Sequence, residues 1–215
     1  MHVPDGFLSP QTYLSLYAIN LPIWIYSIKR FSKSVRPDEL PRLALSSGFV
    51  FILTSIQFPI IGGTTVHLLG IVITTLLFGV IKTYLIYTVV FLLQATLLGM
   101  GGVTSLPLNT FAMGFLGPLS VYFLDKTLKN ILPQTFLIIL LNFVSIFLVV
   151  LFTSFVLGIQ PDIAKGKDGN PLYFPFRFPV VFSAMLISHL PIMVLESVVS
   201  NLFMKFAKKL EFYQK

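Results

Sequence analysis

The chain has 215 residues, 55% of them apolar and only 11% charged, with a mean hydropathy of +0.88. A soluble domain is roughly 25% charged, so a water-solvated enzyme is excluded, and seven spans of about 20 residues would leave only short loops. The absence of cysteine excludes disulfides, Cys-ligated zinc and iron–sulfur clusters, and the net charge of +7 fits basic cytoplasmic loops better than a nucleic-acid partner.

In chain order, seven apolar segments are predicted to cross a membrane: 8–28, 43–61, 65–80, 84–98, 108–125, 135–157 and 179–206. The expected fold is therefore an all-α integral membrane bundle of about seven transmembrane helices, one domain over 1–215. The third and fourth segments are short and bordered by glycine, which suits burial among neighbouring helices. The first lacks a basic n-region and a small-residue cleavage site, so it is expected to stay on the protein. Twelve basic residues fall on one side: Lys29, Arg30, Lys33, Arg36, Arg42, Lys82, Lys126, Lys129, Lys205, Lys208, Lys209 and Lys215. Three fall on the other: Lys165, Lys167 and Arg177. The positive-inside rule makes the twelve cytoplasmic, the N-terminus external and the C-terminus internal. Residues 1–6, 62–67, 99–105 and 160–178 then face outward.

The N-terminus carries the most specific chemistry. Histidine at position 2 is too large for removal of Met1 by Met aminopeptidases, so a free α-amine would stand next to the His2 amide and imidazole. Amine and amide close a five-membered chelate ring, and amide and Nδ1 a six-membered one. Three nitrogens in a plane suit Ni(II) or Cu(II) better than tetrahedral zinc. The segment 1–7 is thus a candidate metal-binding arm, turned back by Pro4-Asp5-Gly6. The alternative is a solvated, frayed terminus.

His67 is the candidate fourth donor. It follows Gly62-Gly63-Thr64-Thr65-Val66, and either Thr64 or Thr65 is expected to cap the next helix, with His67 in its first turn. The positive helix end would keep the imidazole neutral. An incidental histidine at a capped helix start is the other reading. Gly99–Gly102 forms a second outer turn, without the ending of a phosphate loop. Asn109 either orients a liganding histidine or caps the fifth helix, and Gln94 is a candidate bond between helices. His189 and Glu196 lie two turns apart on one helix face, as a polar spine or as structural groups. The aromatic stretch 173–178 reads as an interfacial belt.

Residues 1–10, MHVPDGFLSP, resemble the MHIPDGFLSP start of the CbiM/NikM family, the cobalt- and nickel-specific S components of energy-coupling-factor transporters. Residues 62–67 resemble its GGTTGH motif. Gly99–Gly102 with Asn109 and Met113 resembles GDGG…N..NMG, and 188–191 with Glu196 resembles HLP…EG. The resemblance covers almost the whole chain. It implies a seven-helix bundle holding Ni²⁺ or Co²⁺ through the Met1 amine, the His2 amide and imidazole, and His67; Thr64, Thr65 and Asn109 are candidate supporting groups beside them. It also implies a transmembrane T component and two cytoplasmic ATPases as partners, a prokaryotic inner-membrane location, no resident cofactor and no catalysis by this chain. Met100, Ala112, Val66 and Ser197 depart from the family pattern, the first three in or near the outer loops. Two rival functions are an S component for an organic vitamin, indifferent to the N-terminus, and an intramembrane hydrolase with Ser105 and His189 as nucleophile and base.

Overall fold

The computed structural model describes residues 1–60 and 64–209. Gly62, Gly63 and Lys215 lie outside the described residues. Helix α1 covers Pro10–Ser34. Its start is specified locally: extended Ser9 accepts from Thr12 N through its hydroxyl, and Pro10 takes the first turn, where a missing N–H costs nothing. A 3₁₀ turn at Pro37–Glu39 leads into α2, Leu40–Ser55.

The predicted second span runs to 61, and here the structure differs. Phe58–Pro59 (β1) pairs antiparallel with Thr65–Val66 (β2), Phe58 opposite Val66. Pro59 cannot donate within a helix, and Phe, Thr and Val favour a pleated pairing. The third helix accordingly starts at Ile71, not 65. Gly70, at φ 73°, occupies its cap position, so neither Thr64 nor Thr65 caps it and His67 is not in its first turn.

Helix α3, Ile71–Leu93, continues through a π-helical turn at Gln94–Leu98. Gly79 interrupts it at φ 74°, ψ 173°. The Tyr87 hydroxyl donates to the Leu69 carbonyl, eighteen residues earlier. A straight helix would separate them by about 27 Å at 1.5 Å per residue. The chain therefore folds back at Gly79 into a short inner arm and a longer returning one. The break expected between 65–80 and 84–98 thus falls at Gly79, inside the predicted third span. Lys82 Nζ reaches Glu39 Oε2 at 2.6 Å beside this turn.

Helix α4 (Leu106–Asn109), a π-helical stretch Thr110–Leu116 and α5 (Gly117–Leu128) form one run. Gly114 lets it approach α3: a Cβ there would lie 2.9 Å from Tyr87 Cβ. Helix α6 is Gln134–Gly158, α7 is Gln160–Ile163 and α8 is Phe178–Lys209. Gly158 meets Phe178 so closely that a Cβ would sit 2.4 Å from its Cα. Among the described residues, three helical runs have the length and apolarity of a membrane crossing: Ile71–Leu98, interrupted at Gly79, Gln134–Ile163 and Phe178–Ala207.

Buried Tyr84, Tyr87, Phe91, Leu108, Met113 and Leu141 form the centre of the core. The outside is apolar too: Leu45 is 76% exposed, Ile131 72% and Leu97 71%. Polar groups are buried instead. Asn20 of α1 donates to Leu16 O and Pro107 O and accepts from the Tyr84 hydroxyl, joining three helices. Lipid, not water, matches such a surface.

Candidate metal centre

The N-terminal segment is buried within the protein. Met1, His2 and Val3 are all at most 2% exposed. Asn109 grips the backbone of Val3 from both sides, accepting from Val3 N at 3.0 Å and donating to Val3 O at 3.2 Å. The Ser105 hydroxyl donates to the same carbonyl. Asp5 accepts from Val103 N and Thr104 N at 3.2 and 2.8 Å, and from the Thr104 hydroxyl. The outer glycine turn makes room for this strand-like arm. A Cβ on Gly101, at φ 76°, would stand 3.2 Å from His2 Cδ2, and one on Gly102 only 2.1 Å from Asp5 Oδ1. The long outer loop covers the arm: Phe174 N donates to Phe7 O at 3.3 Å, and their rings lie 5.2 Å apart. Phe174 is thus buried, not part of an interfacial belt.

This arrangement brings His2 to His67. Their ring centroids are 4.6 Å apart, tilted by 35°, and Phe91 meets His2 edge-on at 4.7 Å. The Met1 amine donates to Thr65 O and contacts Thr65 Oγ1 at 3.4 Å, so amine, His2 and His67 converge. Thr64 is buried nearby with its hydroxyl unpartnered. His67 Nδ1 lies 2.9 Å from Leu68 O, an acceptor, so Nδ1 carries the proton. Its buried Nε2 then presents a lone pair with no partner. The loop after His67 is held from below: Glu196 accepts from Leu69 N and from Gly70 N at 2.9 Å.

Burial drives the Met1 amine well below its ordinary value near 8.0. Burial, then the nearby amino terminus, pushes His2 down to about 3 and holds His67 well below 6.5. The imidazoles are neutral, as metal ligands must be. The cause is desolvation and not the helix end expected from sequence, since His67 precedes α3 by a loop. Among the described residues no three His, Asp or Glu side chains gather as a metal site.

Several expectations change here. Asn109 neither orients an imidazole nor caps a helix; it clamps the peptide next to His2. Gln94 does bridge helices, donating to Thr54 Oγ1 at 2.8 Å and Ser55 Oγ at 3.0 Å. Glu196 is the anchor of the His67 loop, while His189 Nδ1 bonds Met185 O in its own helix at 2.6 Å. Ser105 donates to Val3 O and Gly102 O, so it is not paired with His189 as the hydrolase reading required. Gln57 and Asp5 were not read as site residues, and Ser105 was read only as a rival nucleophile. Asp5 carried a signal as the acidic member of a strong turn.

The family model described as "Cobalt uptake substrate-specific transmembrane region" matches residues 2–212. The chain is 32% identical over 197 residues to the fused nickel transport protein NikMN of Rhodobacter capsulatus, covering 89% of this chain. It spans only 57% of that relative's length. It is 32% identical to the cobalt transport protein CbiM of Clostridium cellulovorans, over 97% of this chain and 81% of the relative. A crystal structure of a transition metal transporter superposes with a TM-score of 0.93 at 31% identity, over 100% of this chain and 95% of that one.

Proposed function

We propose, because this chain belongs to the CbiM family of cobalt uptake substrate-specific transmembrane regions, that it is the metal-capturing membrane subunit of an energy-coupling-factor importer. Its cargo is Ni²⁺ first and Co²⁺ second. The donors are the Met1 amine, the His2 amide nitrogen, His2 Nδ1 and His67 Nε2, with Met1 as the free terminus. The observation that carries this reading is the burial of the amino terminus and His2 against His67, with ring centroids 4.6 Å apart.

Chemically, the ion replaces protons on the chelate. The two imidazoles are already neutral, and the amide must ionise as the metal binds. Thr64 and Thr65 flank the amine, and Asn109, with Ser105, fixes the peptide that follows His2. The bundle has about seven transmembrane helices in one domain, with the N-terminus outside and the C-terminus in the cytoplasm of a prokaryotic cell. A transmembrane T component and two cytoplasmic ATPases drive reorientation and inward release. This chain binds cargo and catalyses nothing.

Side-by-side titration of Ni²⁺ and Co²⁺ tests the reading. Purified protein with only a C-terminal tag, its intact mass checked for Met1, is compared with a variant carrying one Gly inserted before His2. The insertion enlarges the chelate and moves the amine. Tight binding by the first and loss by the second is expected, with nickel stronger. Equal binding by both, or by neither, overturns the N-terminal clamp.

A further inference from the structure

One contact at the site is not explained by holding the arm in place. Gln57 Nε2 lies 3.0 Å from His2 Nδ1 and 3.1 Å from Thr54 O. Thr54 O can only accept, so the nitrogen of the Gln57 amide must face it. The second N–H of the same nitrogen then points at His2 Nδ1, which must be the accepting nitrogen. Gln94 Oε1 and His2 Nε2 are both buried without a hydrogen-bond partner, and Gln94 Nε2 is committed to Phe51 O, Thr54 Oγ1 and Ser55 Oγ. His2 thus carries its proton on Nε2 and offers the Nδ1 lone pair to Gln57.

That lone pair is the one the planar chelate needs. Gln57 is half-buried between Ile56 and Phe58, which are 59% and 60% exposed, so it stands at the outer rim of the site. It also immediately precedes β1, whose partner strand β2 leads into His67. An N–H and a cation cannot share one lone pair. We infer that Gln57 is a latch residue: its amide competes with the ion for His2 Nδ1, and capture requires it to swing away from the rim. The inference rests on the N-terminal clamp proposed above. Gln57 is a positioning residue for His2 and a gate for cargo, not a ligand.

The latch has a sign opposite to a supporting role. Losing a structural bond weakens metal binding; losing a competitor strengthens it. The test is Gln57→Met, which keeps the length of the side chain and removes the donor. Ni²⁺ affinity is measured by competition with a chelator, and the association rate by stopped flow. The expected result is binding about 3- to 10-fold tighter, the size of one uncharged hydrogen bond, with faster association. A second readout needs no metal: the ¹⁵N signal of His2 Nδ1 in the metal-free protein should move towards that of an unbonded acceptor nitrogen. Unchanged or weaker Ni²⁺ binding in Gln57→Met, or an unmoved Nδ1 signal, overturns the latch. The Gly-insertion variant separates the two readings. If the insertion abolishes binding and Gln57→Met leaves it unchanged, only the latch fails. If the insertion has no effect, the clamp fails and the latch with it.

Discussion

The state of three protons decides whether Met1, His2 and His67 can hold a cation. At their ordinary values, near 8.0 for the amine and 6.5 for histidine, protons would compete with metal throughout mildly acidic water. Burial alters this. A lowered pKa means the group stays deprotonated as pH falls, until the lowered value is reached. For His2 that is about 3. On the proposed chelate the amide N–H of His2 differs, because it is lost on binding at any of these pH values. From about pH 7.5 to 5, apparent affinity should therefore fall with pH less steeply than for solvent-exposed ligands, with the amide accounting for about one proton per ion. Solvent-exposed ligands would give a slope that steepens below about 6.5. Calorimetric titration of Ni²⁺ across that range, in buffers of different ionisation enthalpy, counts the protons directly. A steepening slope would mean that His2 and His67 are solvated when the ion arrives.

At the scale of elements, the site depends on a loop that enters the bundle and a helix that turns back beneath it. The turn is Gly79, whose φ and ψ of 74° and 173° lie in a region essentially reserved for glycine. Gly79→Ala meets no atom within 4 Å, so its effect isolates backbone strain. It should destabilise the protein by about 1–3 kcal/mol. Gly48, inside α2 and equally uncrowded, is the matched control; there alanine should stabilise by about 0.5–1 kcal/mol. Thermal unfolding in detergent reads both, and equal shifts would mean that the fold-back is not strained at Gly79. The sequence made some of these elements plain and hid others for physical reasons. The segment 135–157 is uncharged and mostly apolar, and α6 matches it to within a residue at each end. Residues 56–60 and 65–70 were misread as helix ends, because Ile56, Ile60 and Val66 satisfy either a helix or a strand and two-residue strands have no period. His2 and His67 could be singled out from their local sequence context. Gln57 could not, and the partners of Ser105 and Glu196 were hidden, since each acts on a residue at least 55 positions away.

At the scale of the molecule, two ends of opposite character emerge. Asp5, the 101–104 turn, Gln57 and Phe174 gather around the metal centre. At the far end Glu39, Arg42, Lys82 and Phe203 line a cavity of about 320 Å³, and the Glu39–Lys82 pair ties the loop after α1 to the Gly79 turn. Between them lies an apolar girdle that lipid must cover. The positive-inside argument assigns the centre to the outside, and the absence of cysteine makes this directly testable. Lys167 of the long outer loop and Lys33 at the end of α1 are both exposed, so a cysteine at either stands alone against a silent background. Lys167→Cys should react with a membrane-impermeant maleimide in intact cells. Lys33→Cys should react only after permeabilisation. The reverse pattern would turn the bundle over and make the buried N-terminus face the cytoplasm, where an importer would release its cargo instead of capturing it.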